Sequence, residues 1–183
     1  MNKKTVAVIF GGQSSEHEVS LNSASTIISN MDEEKYFIVP IGITKQGQWL
    51  IYDGSVEHIK TGEWQKYSTP AIISPDATQK SILKIVGGRI KEIPVDVIFP
   101  VLHGKWGEDG TIQGLFEMAQ IPYVGDGVLS SSVSMDKVFT KIIASNANIQ
   151  QAKYLWFYDH QLKQCEEIVK QIEKELQYPC FIK

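Results

Sequence analysis

The chain has 183 residues, 43% of them hydrophobic, and a formal net charge of -3 from 18 Lys and Arg against 21 Asp and Glu. That length suits one large domain or a domain with part of a second, and the apolar fraction suffices for a packed core. The balance of charge argues against a nucleic-acid or anionic-membrane partner, each of which calls for clustered Lys and Arg, and no apolar run approaches the roughly 20 residues of a membrane span.

The two cysteines, Cys165 and Cys180, are too few for a disulfide framework and fit reduced thiols in a cytoplasmic protein. Lys3 and Lys4 precede a short apolar run that ends at Gly11-Gly12, too brief for a signal peptide.

In chain order, TVAVIF (5–10) is continuously apolar and β-rich, the pattern of a strand buried on both faces. A helix is expected from about Ser15, with Ser15 and Glu18 in capping-box spacing and Val19, Ala24, Ile27, Ile28 and Met31 on its apolar side. YFIVPIGIT (36–44) is the next strand, and QWLIY (48–52) follows a Gln46-Gly47 turn and pairs with it. Residues 53 to 80 read as a polar surface excursion with a short strand at AIIS. SILKIV and RIKEI flank Gly87-Gly88 as a β-hairpin, because glycines supply the positive φ of a tight two-residue loop.

VDVIFPVLHG (95–104) is a second buried strand ending at His103, followed by a helix at about 111–120 with Asp109 as its N-cap, and then a short strand, IPYVG (121–125). Beyond it come a helix at about 130–146, a strand AKYLWFY (152–158), a helix at about 161–177 and a strand YPCFIK (178–183). Strands alternating with helices imply an α/β fold, a mostly parallel sheet with helices on both faces. A domain boundary is expected near residues 125–130, giving a domain 1–126 and the start of an α+β domain over 127–183. A chain that stops inside a strand reads as a fragment of a longer protein.

Ligands of open α/β sheets bind beyond the carboxyl ends of the strands, and two such ends carry GGQSSEHE and LHGKWGEDG. In the first, Gly11 and Gly12 allow close backbone approach, and the helix start offers free N–H groups that suit a carboxylate. Glu16 either decorates the helix dipole or holds an ammonium. Anion-binding amides beside a carboxylate would suit a zwitterion, an amino acid. Glu18 is explained by capping alone, and His17 reads as a surface side chain. His103, at a strand's carboxyl end, is placed for ligand contact or for a solvated loop. Lys137 and Lys141 lie off the apolar side of their helix, the ordinary place for solvated lysines. There is no P-loop, no G-x-G-x-x-G after the first strand, no metal-type Cys or His spacing and no G-x-S-x-G elbow.

FGGQSSEHEVSLNSA, FPVLHGKWGEDGTIQGLFEMAQIPYVG, SSVSMDK and YPCFIK, in that order and spacing, resemble the N-terminal half of the D-alanine–D-alanine ligases over nearly the whole chain. The stretch VPIGITKQGQWLIY and the Gly87-Gly88 excursion resemble a branch that includes the D-alanyl-D-serine and D-alanyl-D-lactate ligases of glycopeptide resistance. The resemblance implies an ATP-grasp enzyme of peptidoglycan synthesis that uses ATP and Mg²⁺ to phosphorylate one D-alanine and join it to a second. The first domain would then bind substrate and the second would begin the ATP-grasp domain. By the same resemblance, Glu16 would hold the ammonium of the first D-alanine. Val19 and Ser20 would line or support its pocket, His103 would stand beside its carboxylate, and Lys137 and Lys183 would contact ATP.

The resemblance also implies a cytoplasmic homodimer, with metal ligands and a phosphate loop later than Lys183. The 183 residues alone are therefore expected to release no phosphate from ATP. The sequence fits a D-alanine–D-alanine ligase, a D-alanine–D-serine or D-lactate ligase, or a non-catalytic substrate-binding or dimerisation fragment.

Overall fold

The computed structural model describes residues 3–182. It divides into two compact units, Met1–Met135 and Asp136–Lys183. The first begins with β1 (Lys4–Gly11), α1 (His17–Asn30), β2 (Tyr36–Ile43), β3 (Trp49–Tyr52) and α2 (Val56–Thr61). After a 3-10 turn, Glu63–Tyr67, come β4 (Ser68–Ile73), β5 (Ser81–Val86), β6 (Arg89–Pro94), β7 (Val97–Pro100), α3 (Thr111–Ala119) and α4 (Val128–Met135).

The strands form one sheet of seven in the order β6-β5-β4-β3-β2-β1-β7. β1 lies between parallel neighbours, β2 and β7, in the register Val8↔Pro40 and Val8↔Phe99. From β3 outward the pairing is antiparallel. The α/β expectation holds as a mixed sheet: the uninterrupted apolar strands make its parallel part, and the hairpin-linked strands make an antiparallel wing. The expected strand at 121–125 is reduced to a parallel bridge between Tyr123 and Ile98, held by Ile98 N–H to Pro122 O at 2.8 Å and Val124 N–H to Ile98 O at 2.9 Å.

β1 is apolar throughout because both its faces are covered. Ala7 and Ile9 enter one core with Val39 and Ile41 of β2 and with Ile112, Phe116 and Ala119 of α3. Val6, Val8 and Phe10 enter the other with Leu21, Ala24 and Ile28 of α1 and with Ile59 and Trp64. Burying Leu21 and Ile28 stabilises the fold by roughly 1.5–3 kcal/mol each, which fixes the side of the sheet on which α1 lies. Gly42 completes the second core: a methyl group there would run into the Trp64 ring. The hairpin between β5 and β6 turns on Gly87 (φ 54°) and Gly88 (φ 74°), as the glycine pair predicts.

Several local expectations are corrected. The Ser15–Glu18 capping box does not form. Glu16 occupies the N-cap of α1 without a side-chain cap, and the Glu18 carboxylate is drawn to Lys45 Nζ at 2.7 Å instead. The hydrogen bond and charge of Lys45 hold the Glu18 carboxyl below its usual range. Asp109 is not the N-cap of α3; that place belongs to Gly110, while the Asp109 carboxylate accepts from Thr111 N–H at 3.0 Å and Trp106 N–H at 2.8 Å.

The second unit contains α5 (Lys137–Asn146), a 3-10 turn Asp159–Gln164 and α6 (Cys165–Glu175). The single helix expected at 130–146 is two, split at Asp136, whose carboxylate accepts from Val138 N–H at 2.9 Å and Phe139 N–H at 3.1 Å and so starts α5 afresh. Neither AKYLWFY nor the described part of YPCFIK forms a strand. Strand backbone needs a ladder partner, and the described residues of this unit supply none. Both cysteines are free thiols. None of the described helices is long and apolar enough to cross a membrane.

Candidate functional site

The carboxyl ends of β1 and β7 stand side by side because those strands pair in parallel, so their trailing segments, 11–17 and 101–110, leave the sheet together. A network of hydroxyls joins them. Ser14 Oγ donates to His103 O at 2.8 Å and accepts from Glu16 N–H at 3.1 Å. Ser20, fully buried, accepts from Gly11 N–H at 2.7 Å and donates to Val101 O. Ser23 Oγ lies 3.2 Å from His103 Nε2. Glu16, Ser20 and Ser23 are spaced i, i+4 and i+7, which puts them on one face of α1, turned toward the segment after β7.

Glu16 is exposed, and its carboxylate is close to the second segment: a methyl group on Gly104 would come within 2.5 Å of Oε2. With φ at 71°, Gly104 occupies backbone space that disfavours other residues, so conformation and space both call for glycine there. Glu108 Oε2 accepts from Gly104 N–H at 2.6 Å and closes the turn. Trp106, a bulky residue at φ 69°, and Lys105, whose ammonium lies 4.6 Å from the Trp106 ring centre, form the outer part of the loop. Gln113 of α3, buried, donates from Nε2 to Gly107 O at 2.9 Å and ties the loop to the helix it precedes.

A cavity of about 250 Å³ opens at these strand ends, lined among others by Gly11, Gly12, Gln13, Leu102, His103 and Trp106. His103 borders it, while Glu16, Val19 and Ser20 do not. A second hollow, of about 530 Å³, lies in the other unit against Ser145, Gln151, Lys153 and Lys174, and contains none of the candidate residues. Its greater volume carries little weight beside the converging polar groups at the strand ends.

The tertiary structure therefore brings Glu16 against Gly104, adjacent in sequence to His103, with Ser20 buried beneath them. Val19 stands on the exposed side of α1, 52% accessible. Lys137 is the exposed first residue of α5, and Lys183 lies outside the described residues. His17 is not a surface side chain: it is 3% exposed, with Nδ1 at 2.8 Å from Gly12 O, and it holds the glycine turn from below. Ser14, Ser23 and Gln113 are the contributors that sequence reading missed. Only the helical spacing of Ser23 from Glu16 could have pointed to one of them.

A family model described as D-ala D-ala ligase N-terminus matches residues 5–126. The chain belongs to that family. It is 51% identical over all 183 residues to a protein of Thermoanaerobacter sp. (strain X514) and 54% identical, again over the whole chain, to one of Ruminiclostridium cellulolyticum, both named D-alanine--D-alanine ligase. In each case the chain spans 51% of the relative's length. Among solved structures, the VanG D-Ala:D-Ser ligase from Enterococcus faecalis aligns with 97% of the chain at 44% identity and a TM-score of 0.82, over 51% of its own length. The D-alanine-D-alanine ligase from Coxiella burnetii aligns with 94% of the chain at 31% identity and a TM-score of 0.76, over 50% of its own length.

Proposed function

We propose that this chain supplies the first-substrate site of an ATP-dependent ligase that joins two D-alanines for peptidoglycan synthesis. ATP transfers its terminal phosphoryl group to the carboxylate of the first D-alanine, giving an acyl phosphate and ADP. The amine of the second D-alanine attacks that carbonyl, and phosphate leaves. The chain's own residues bind and orient. Glu16 takes the ammonium of the first D-alanine, and His103 donates toward its carboxylate. Ser20 supports the turn from beneath, and Lys137 and Lys183 contact ATP; Val19, on the exposed side of α1 and outside the cavity wall, is given no substrate contact. The complete enzyme is a cytoplasmic homodimer in this reading.

Among the described residues no three or more His, Cys, Asp or Glu side chains converge on a point that could hold a metal ion. Mg²⁺, which would neutralise phosphate charge, is therefore given no ligands among the described residues of this chain.

The observation that carries the reading is the Glu16 carboxylate set against Gly104, next to His103, where the ends of β1 and β7 leave the sheet. The test is the complete ligase supplied with ATP and D-alanine, with dipeptide detected by mass. Glu16→Gln should raise KM for the first D-alanine by about 10-fold or more, since a hydrogen bond to a charged group is worth ~1.5–3 kcal/mol. Unchanged KM and kcat would reduce Glu16 to a residue that only answers the helix dipole.

A D-alanine–D-serine ligase is the second reading, supported by the 44% identity to VanG. Competition between D-alanine, D-serine and D-lactate for the second position distinguishes the two.

A further inference from the structure

The two nitrogens of the His103 ring have different surroundings. Nε2 lies 3.2 Å from Ser23 Oγ, while Nδ1 has no hydrogen-bond partner among the described residues, and the side chain borders the cavity at the strand ends. The backbone of the same residue is held separately, through its carbonyl, by Ser14 Oγ at 2.8 Å. Two serines from either side of the α1 start thus hold one histidine at both ends.

The direction of the Ser23–His103 bond follows from where the other α1 hydroxyls go. Ser25 and Thr26 return theirs to Asn22 O at 2.9 and 3.1 Å, the usual habit of helical serine and threonine, and Ser20 gives its own to Val101 O. Ser23 makes no such bond to a carbonyl among the described residues; its hydroxyl meets only the imidazole. A half-buried hydroxyl that accepted from Nε2–H would leave its own proton without an acceptor among the described residues, whereas one that donates to Nε2 uses it within the protein. Donation to Nε2 places the ring proton of neutral histidine on Nδ1.

We propose that Ser23 is a positioning residue whose hydroxyl, by donating to Nε2, fixes the Nδ1–H tautomer of His103 and so presents that histidine as a hydrogen-bond donor to an anionic ligand group. The identity of the ligand rests on the functional reading above; the tautomer does not.

The test is the ring ¹⁵N spectrum of this chain in the pH range where His103 is neutral, with its signals assigned by their loss in His103→Gln. The wild-type ring should show a pyridine-type Nε2 and a pyrrole-type Nδ1. Ser23→Ala should move Nε2 toward pyrrole type, and Ser23→Thr, which keeps the donor, should restore the wild-type pattern. In the complete ligase Ser23→Ala should raise KM for the first D-alanine about 10-fold, with Ser23→Thr close to wild type. A pyrrole-type Nε2 in the wild type, or a ring unmoved by Ser23→Ala, overturns the proposal whatever the kinetics. A ring that shifts as stated while KM stays constant upholds Ser23 and overturns instead the contact of His103 with substrate.

Discussion

The hydroxyl of Ser20 accepts from Gly11 N–H and donates to Val101 O, at a position with no exposed surface. Removing it orphans an amide at the end of β1 and a carbonyl just past β7, and each unsatisfied buried group costs ~1–3 kcal/mol. We expect Ser20→Ala to lower the unfolding free energy by roughly 2 kcal/mol, read from urea titration; a change under about 0.5 kcal/mol would show that both groups find other partners. Little of this was legible. Ser20 sits one helical turn after Glu16, and nothing in the one-dimensional pattern says that its partner is 81 residues away. His17 is a similar case. A histidine between two glutamates reads as solvated, yet the glycine turn folds over it and offers a carbonyl at 2.8 Å. Glu18 stood in good capping spacing and was taken instead by Lys45, because the turn after β2 brings an ammonium within 2.7 Å of it.

At the scale of elements, the segment from His103 to Gly110 is held by polar side chains, among them the Glu108 and Asp109 carboxylates, the Gln113 amide and the Ser14 hydroxyl. Burial acts to raise the pKa of Asp109, but the amides of Trp106 and Thr111 and the Thr111 hydroxyl outweigh it and hold the carboxyl below its usual range. A group with a depressed folded pKa binds protons more readily in the unfolded chain. Its stabilisation is therefore fully present above the ordinary Asp pKa and is lost as pH falls through the folded value. Melting temperature should accordingly decline in acid, from about pH 4 downward, and Asp109→Asn should be less stable at neutral pH but lose less on acidification. Parallel acid limbs for the two proteins would remove Asp109 from this role. Elements governed by local chemistry were readable in the sequence: the hairpin on Gly87-Gly88 and the buried strand β1. The strand expected over 95–104 was legible only in part, since β7 is confined to Val97–Pro100 with Ile98 alone buried, and the chain has left the sheet before His103. Those that depend on a partner were not. AKYLWFY has strand composition, but among the described residues no strand lies beside it.

The two units differ as whole bodies. In the first, both faces of the sheet are covered around β1, which is almost wholly inaccessible, although β6 at the edge of the antiparallel wing is exposed. From Asp136 onward no described residue is buried, and Phe139, Ile142 and Ile143 of α5 are each about half exposed. Amides opened only by global unfolding exchange far more slowly than those freed by local fraying. We expect amides of β1 and β2 to exchange ~100-fold or more slowly than those of α5 and α6 in this chain, and equal protection would contradict the contrast in burial.

Sequence by itself determined the α/β class, the two strand ends that carry the polar motifs, and membership of the ligase family. Each of these is written in residues close together along the chain, in apolar runs, glycine pairs and ordered motifs. Tertiary structure decided which of those polar groups meet. The parallel pairing of β1 with β7 brings Ser14, Ser20 and Ser23 to a segment some 80 to 90 residues further on, and it sets the Glu16 carboxylate against Gly104. Hydrogen bonds and close contacts act over a few ångströms in space, and no spacing along one strand and one helix records which distant carbonyl, ring or glycine will arrive there.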